Sequence, residues 1–300
     1  WQTRKILKKI GTEVVHCHLF TASLVGLLAA KSLGIPKRIF TRHYATFHHQ
    51  YFPRAVWYDK FINALATHIV AISENVKEIL EQKEGVKPEK ITLVHHGFRL
   101  EMFENVPQTC IEALREKYQL QKRKPVIGVI ARWLHLKGIQ YIIPAFGEVL
   151  RDYPNAHLVL ANAKGDYKPE IERLLQNLPS NSYTTITFEN DLPALYQLFD
   201  VYVHTPINAQ VEAFGQTYIE ALAAGIPSVF TLSGVAKEFI KHQENAWVVP
   251  FQDSQAIAEG ISILLQNENL RNKIIQNGKK SIQKMFNLQA MIEKLESLYC

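Results

Sequence analysis

Short apolar runs rich in β-branched residues alternate with segments of helical period from one end of the chain to the other. Runs of that kind, bounded by turn residues, read as strands, and their alternation with helices predicts βαβ units and parallel sheets. Four strands are expected early, at 13–18, 38–43, 68–73 and 90–96. The periodicity then weakens through Pro107, the charged stretch REKYQLQKRK and Pro125, which mark a connection. Six further strands follow at 126–131, 157–161, 184–188, 201–204, 228–231 and 246–249. Six strands with intervening helices complete a doubly wound domain; four do not, so one or two βα units are expected before Trp1. Three helices close the chain at 253–266, 268–285 and 288–299, with Ile257, Ile261, Leu264 and Leu265, then Ile274, Ile275 and Ile282, at helical spacing. The expected division is an incomplete first domain over 1–108, a linker over 109–124, a second domain over 125–285, and a closing helix over 286–300 that packs back towards the first domain.

Length agrees with two domains, since 300 residues exceed what one core usually holds. With 47% apolar and 21% charged residues the composition is that of a soluble globular protein. Cys17, Cys110 and Cys300 are distant and odd in number, which excludes a disulfide framework or a C-x-x-C metal knuckle and makes a reducing, cytoplasmic setting the expectation. The longest apolar run, 19–30, is too short to cross a bilayer. The opening WQTRKILKK does not read as a signal peptide, and the chain reads as one joined partway through.

The net charge of +6 is uneven: residues 1–120 hold 17 Lys and Arg against 11 Asp and Glu, and residues 121–300 hold 17 against 17. The excess in the first part points to an anionic partner, either an acidic ligand or a membrane surface. Peripheral association with the inner face of a membrane is therefore an expectation; binding to nucleic acid is not.

Two stretches carry chemistry. In VYVHTPINAQVEAFGQTYIEALAAGIP a strand ends near His204, a loop carries Glu212, and a helix runs from near Gly215 to Ala224. A helix N-terminus offers unpaired N–H groups and the positive end of a dipole, so the backbone of Gly215, Gln216 and Thr217 suits a phosphate. Glycine lets that backbone approach closely. Glu220, a turn further in, can accept hydrogen bonds from ribose hydroxyls, as an acidic residue does in dinucleotide folds. Two carboxylates bracketing a diphosphate suggest a sugar nucleotide. The second stretch, VIGVIARWLHLKGIQ, reads as strand, loop and helix, with Arg132 and Lys137 in the loop and Gly138 near the helix start. Cations at a helix N-terminus strengthen an anion site, and Arg can bind phosphate bidentately.

ARWLHLKG, followed about eighty residues later by EAFGQTYIEALAAGIPSV, resembles the nucleotide-sugar domain of the retaining glycosyltransferases of family 4. The family motifs G-R-hydrophobic-x-x-x-K-G and E-x-F-G-x-x-x-x-E-A-x-A-x-G-x-P-V match, with Ala131 in place of the first Gly and Ser228 in place of the final Val. EVVHCHLFTASLVGLLAAKSLGIPKRIFTRHY, AISENVKEIL and KITLVHHGFRLEMF are similar to segments of the family's first domain, so the resemblance covers nearly the whole chain. It implies an α/β fold of two facing Rossmann-like domains, the GT-B architecture, with the first domain on the acceptor side.

Carried over by position, the resemblance implies that Arg132 and Lys137 bind the donor diphosphate together with Gly215, Gln216 and Thr217. Glu212, Phe214 and Gly215 would meet the donor sugar, and Glu220 the ribose. His43, in TRHY, matches the histidine that reaches the reacting sugar and, with Glu212, is the expected catalytic group. Glu212 would position the sugar and stabilise its oxocarbenium-like state. The implied activity is retaining, metal-independent transfer of a hexose from a UDP- or GDP-sugar to a glycan or glycolipid acceptor in surface polysaccharide synthesis, with no cofactor. Two departures bear on the base: Phe98 and Arg99 replace an aliphatic residue and Asp, and Asn162, Ala163, Lys164 and Gly165 replace a glycine-rich turn.

A rival is a catalytically incomplete nucleotide-sugar-binding or scaffold protein of the same fold. A sugar-nucleotide epimerase would need an acid/base set beyond Glu212 and scattered histidines. His16, His18, His48, His49, His95 and His96 raise the question of a metal, but the adjacent pairs, read as strand residues, point to opposite faces. No metal site is expected.

Overall fold

All ten expected strands form in the computed structural model, which describes residues 1–300. Strands β1 (Val14–His18), β2 (Lys37–Arg42), β3 (His68–Ala71) and β4 (Ile91–Leu93) lie side by side in chain order, all parallel. Strands β5 (Val126–Ile130), β6 (His157–Ala161), β7 (Tyr183–Ile186), β8 (Val201–His204), β9 (Ser228–Phe230) and β10 (Trp247–Val248) form a second parallel sheet, ordered β10-β9-β8-β5-β6-β7. The chain runs outward from β5 through β6 and β7, then returns to the other side of β5 with β8. The strand order thus reverses between β5 and β8, the point at which open α/β sheets leave a ligand crevice at their carboxyl ends.

Every residue of β5 and β6 is buried, as expected for parallel strands covered on both faces. Helix Ile139–Asp152 contributes Ile139, Ile142 and Phe146 to that core, and helix Ser254–Gln266 contributes Ile257, Ile261 and Leu264. In the first sheet Ile39, Val70 and Val94 are packed by Met291, Leu295 and Leu298 of the last helix, Leu288–Tyr299.

The chain divides into two compact units, one of residues 1–98, 210–214 and 286–300, the other of 99–209 and 215–285. The first unit stops at 98, where the first domain was expected to reach 108, and two further segments differ from expectation. The segment expected as a linker, 109–124, is largely the helix Gln108–Lys117, which belongs to the second unit. Residues 210–214 fall in the first unit because side chains of Thr46, Ser73 and Asn75 donate to their carbonyls. The last helix belongs there too: Gly97 has no Cβ, and one would lie 2.4 Å from Cα of Leu288. The expected strand at 90–96 stops at Leu93, and His48 and His49 sit in the helix Phe47–Tyr51, so alternation along a strand orients neither histidine pair. No helix is long and apolar enough to cross a membrane.

Candidate functional site

In the second unit the carboxyl ends of β5, β6 and β7 open into a cleft of about 730 Å³ whose lining includes Arg132, Asn162, Lys164, Thr187, Phe188 and Glu189. The volume lies within the range of small-molecule sites. Its walls are tied together by backbone: Trp133 donates to the carbonyl of Lys164 (2.9 Å), Tyr167 to that of Trp133 (3.0 Å), and Ala163 to that of Ile186 (3.0 Å). Asn162 adopts a left-handed conformation (φ 62°), so the turn that departs from a glycine-rich one is made with an asparagine, a residue that tolerates it. Phe188, 67% exposed, has Nζ of Lys164 5.9 Å from its ring centroid.

Arg132 lies in this cleft, and Lys137 ends the short 3-10 turn His135–Lys137 that leads into helix Ile139–Asp152. Gly138 joins turn and helix at φ 74°, and a Cβ there would sit 1.8 Å from the carbonyl oxygen of Thr205. Only glycine fits both demands, so the loop bearing the two cations is pinned against the chain leaving β8.

That same chain enters helix Gln216–Ala223 through Gly215, at φ 92° and ψ 59°. Glu220, 5% exposed, is held beneath the helix start: the Tyr196 hydroxyl donates to Oε2 (3.0 Å) and Nε2 of Gln216 to Oε1 (2.7 Å). Burial pushes its carboxyl above the usual range, against the pull of those two donors. Thr217 and Tyr196 both share hydrogen bonds with the buried hydroxyl of Tyr202, so the helix start and Glu220 belong to one polar network.

Glu189, on the cleft wall, accepts from Nζ of Lys117 (2.7 Å) and from the Tyr118 hydroxyl, while its other oxygen accepts the N–H groups of Asn190 (2.8 Å) and Asp191 (3.1 Å). Partial burial raises its carboxyl pKa, but these donors outweigh it and hold the group at about 2.

In the first unit His43 follows β2. Its Nε2 lies 2.9 Å from Nδ1 of His18, and its ring stacks on His96 at 5.5 Å. His16 joins through Thr41 (2.7 Å) and the Tyr299 hydroxyl (2.7 Å), and its ring lies 4.4 Å from that of His18. Burial, then the charges of His96, His18 and His16, push His43 down to about 4; burial and then His18 do the same to His16. Both imidazoles are neutral at pH 7. No group of three or more His, Cys, Asp or Glu side chains is disposed to hold a metal ion. Glu212 is 6% exposed, with its carbonyl accepting from Asn75 (2.7 Å); Phe214 packs on His96, Phe98 and Phe286.

The residues expected to bind a donor therefore divide by unit. Arg132, Lys137, Gly215, Gln216, Thr217 and Glu220 lie around the strand-order reversal of the second sheet, whereas His43, Glu212 and Phe214 belong to the first unit. Sequence reasoning did not find Tyr196, Tyr202, Lys117, Tyr118 or Glu189, because each acts through a contact distant along the chain. His18 and His96 stood out as histidines, but nothing in their spacing joins them to His43.

Residues 111–281 match the family model of glycosyl transferases group 1, and residues 1–102 that of glycosyltransferase family 4. The chain is 30% identical to the capsular polysaccharide biosynthesis glycosyltransferase CapM of Staphylococcus aureus, over 93% of this chain and 74% of that protein. It is 24% identical to alpha-monoglucosyldiacylglycerol synthase of Acholeplasma laidlawii, over 98% and 76% of the two chains. Among solved structures, Anabaena Alr3699/HepE in complex with UDP and glucose matches with TM-score 0.88 at 19% identity, covering 99% of this chain and 80% of that one. At that identity the likeness establishes the fold, that of two parallel-sheet domains.

Proposed function

The chain belongs to the group 1 glycosyltransferases, and on that premise we propose that it moves a hexose from a UDP- or GDP-sugar to a glycan or glycolipid acceptor, with retention at the anomeric carbon and without a metal. The observation that carries this reading is the two-cation loop after β5, fixed by Gly138 against the chain that leaves β8 and leads on to the start of helix Gln216–Ala223, at the strand-order reversal of the second sheet. Nucleotide is proposed in the cleft bearing Asn162, Lys164 and Phe188. Glu220 takes the ribose, and Arg132, Lys137 and the N–H groups of Gly215, Gln216 and Thr217 take the diphosphate. Negative charge that develops on a departing diphosphate is stabilised by such pre-placed donors without reorganisation. In the first unit, neutral His43 hydrogen-bonds the reacting sugar. Glu212 and Phe214 position it, and Glu212 stabilises its cationic character. The relatives support a setting in surface polysaccharide or glycolipid synthesis: CapM bears the first in its name, alpha-monoglucosyldiacylglycerol synthase the second. HepE was solved with UDP and with UDP-glucose, which makes uridine the first base to try.

Incubation with UDP-glucose tests the reading. Release of UDP that persists in EDTA, with an α-anomeric coupling in the first-formed product, supports it; a β-product, or release abolished by the chelator, overturns retention or metal independence.

A further inference from the structure

The helix Ala55–Leu65 buries polar side chains and exposes aromatic ones. Its buried face carries Asp59 and Asn63, 0% and 4% exposed, beside Ile62 and Leu65, while Trp57 and Tyr58 stand outside at 68% and 47%. The inward polar groups are tied into one charged cluster. Arg42, itself buried, donates to Asp59 (3.4 Å) and Glu84 (2.6 Å), and Nδ2 of Asn63 donates to the other oxygen of Glu84 (2.6 Å). A buried ion cluster of this kind generally stabilises no more than apolar packing of the same volume. Large apolar side chains are present in the same helix and are turned to solvent. Stability of this unit alone gives no reason for that arrangement.

The outward rings continue beyond the helix. Trp57 contacts Phe61 (6.1 Å) and Tyr58 (5.7 Å), and Tyr58 contacts Phe20 (6.3 Å). Phe20 reaches His48 (5.3 Å), His48 reaches Phe47 (6.0 Å), and Phe47 touches Tyr51 (5.4 Å) and Phe52 (5.6 Å). This is one unbroken aromatic surface, of the sort that marks an interaction site. Its charge has one sign. From residue 43 to 73 the exposed charges are Arg54 and Lys60, and the sole carboxylate, Asp59, is buried.

We propose that this aromatic face docks on an anionic lipid bilayer. Tyr and Trp, each with an apolar body and a polar tip, settle at the headgroup boundary, where Phe inserts and Arg and Lys meet acidic headgroups. A second copy of the chain fits the same face poorly. An isologous contact would bring two patches of the same positive sign together, with no exposed carboxylate in the patch to answer Arg54 and Lys60. The charge excess of the first 120 residues points to an anionic partner without selecting a face; the ring surface selects one. Docking of this kind is independent of which donor the second unit takes.

The test is sedimentation with vesicles of phosphatidylcholine, and of phosphatidylcholine containing phosphatidylglycerol, at low salt. The intact chain should bind the anionic vesicles, and Trp57→Ser/Phe61→Ser should weaken that binding by about tenfold or more, given the apolar area removed. Arg54→Gln/Lys60→Gln should erase the preference for anionic lipid. A second measurement does not depend on how the double variants fold: brominated lipid should quench tryptophan fluorescence, and Trp57→Phe should remove most of that quenching. Binding of the native chain to neither vesicle, equal binding of native chain and Trp57→Ser/Phe61→Ser, or a concentration-dependent native dimer that the same double variant abolishes, would each overturn the proposal.

Discussion

Nδ1 of His18 lies 2.9 Å from Nε2 of His43, and this shared hydrogen bond needs at least one of the two rings to be neutral. The folded unit resists protonating them: His16, His43 and, in the second unit, His157 are all held at about 4, each chiefly by burial. An unfolded imidazole titrates near about 6.5, so below that pH the unfolded chain takes up protons that the folded chain refuses. Stability is fully present above about pH 6.5 and is lost as pH falls from there towards 4. Melting temperatures at pH 7.5, 6.5, 5.5 and 4.5 should decline through the last three; a flat series would contradict the assignment.

The two-cation loop depends on Gly138. Alanine there meets both the left-handed conformation, costing about 1 kcal/mol, and a carbonyl oxygen at 1.8 Å, whose displacement costs roughly 1–3 kcal/mol more. Gly138→Ala should therefore lower stability by about 2–4 kcal/mol in denaturant titration and weaken nucleotide binding. Wild-type behaviour in both assays would mean that the loop is not fixed as described.

Lys117 and Tyr118 hold the cleft wall through Glu189. If the cleft takes the nucleotide, Lys117→Met and Tyr118→Phe should each raise the donor KM by roughly threefold to tenfold, the equivalent of one lost hydrogen bond, with kcat little changed. A fall in kcat at constant KM would place the effect elsewhere. Since Glu189 stays ionised down to about pH 2, its part in stability is present above the unfolded pKa of about 4.3 and is lost only below it, clear of the histidine window.

Helix Ala55–Leu65 offers a contrast within one element. Asp59→Ala leaves buried Arg42 short of a partner and should cost about 3–5 kcal/mol, whereas exposed Trp57→Ser should stay within about 0.5 kcal/mol. Equal costs in urea unfolding would contradict the inverted packing.

The sheets were legible because Val126–Ile130 and His157–Ala161 are apolar runs of strand length between turn residues, and the two loops proposed to hold phosphate because cations and glycines stand at fixed offsets from such strands. Domain bounds were less so. Residues 210–214 sit in the chain between β8 and its following helix, and contacts distant in sequence, such as those of Thr46, Ser73 and Asn75 with their carbonyls, assign Glu212 to the first unit. Composition reads 109–124 as a connection, yet Gln108–Lys117 is a helix whose next residue, Tyr118, meets Glu189 from 71 positions away. In Ala55–Leu65 the aromatic positions Trp57, Tyr58 and Phe61 face outward while Asp59 and Asn63 face inward, and no sequence rule reveals their partners at Arg42 and Glu84.

The most direct test of the account is calorimetric titration of UDP into the native chain and into Glu220→Ala, with GDP and ADP as controls and EDTA present. The account predicts chelator-insensitive binding of one nucleotide that the substitution weakens by roughly 1–3 kcal/mol, the cost of leaving buried polar groups unpaired. Failure of every nucleotide to bind the native chain, or equal affinity in the variant, would contradict the placement of the donor at Glu220.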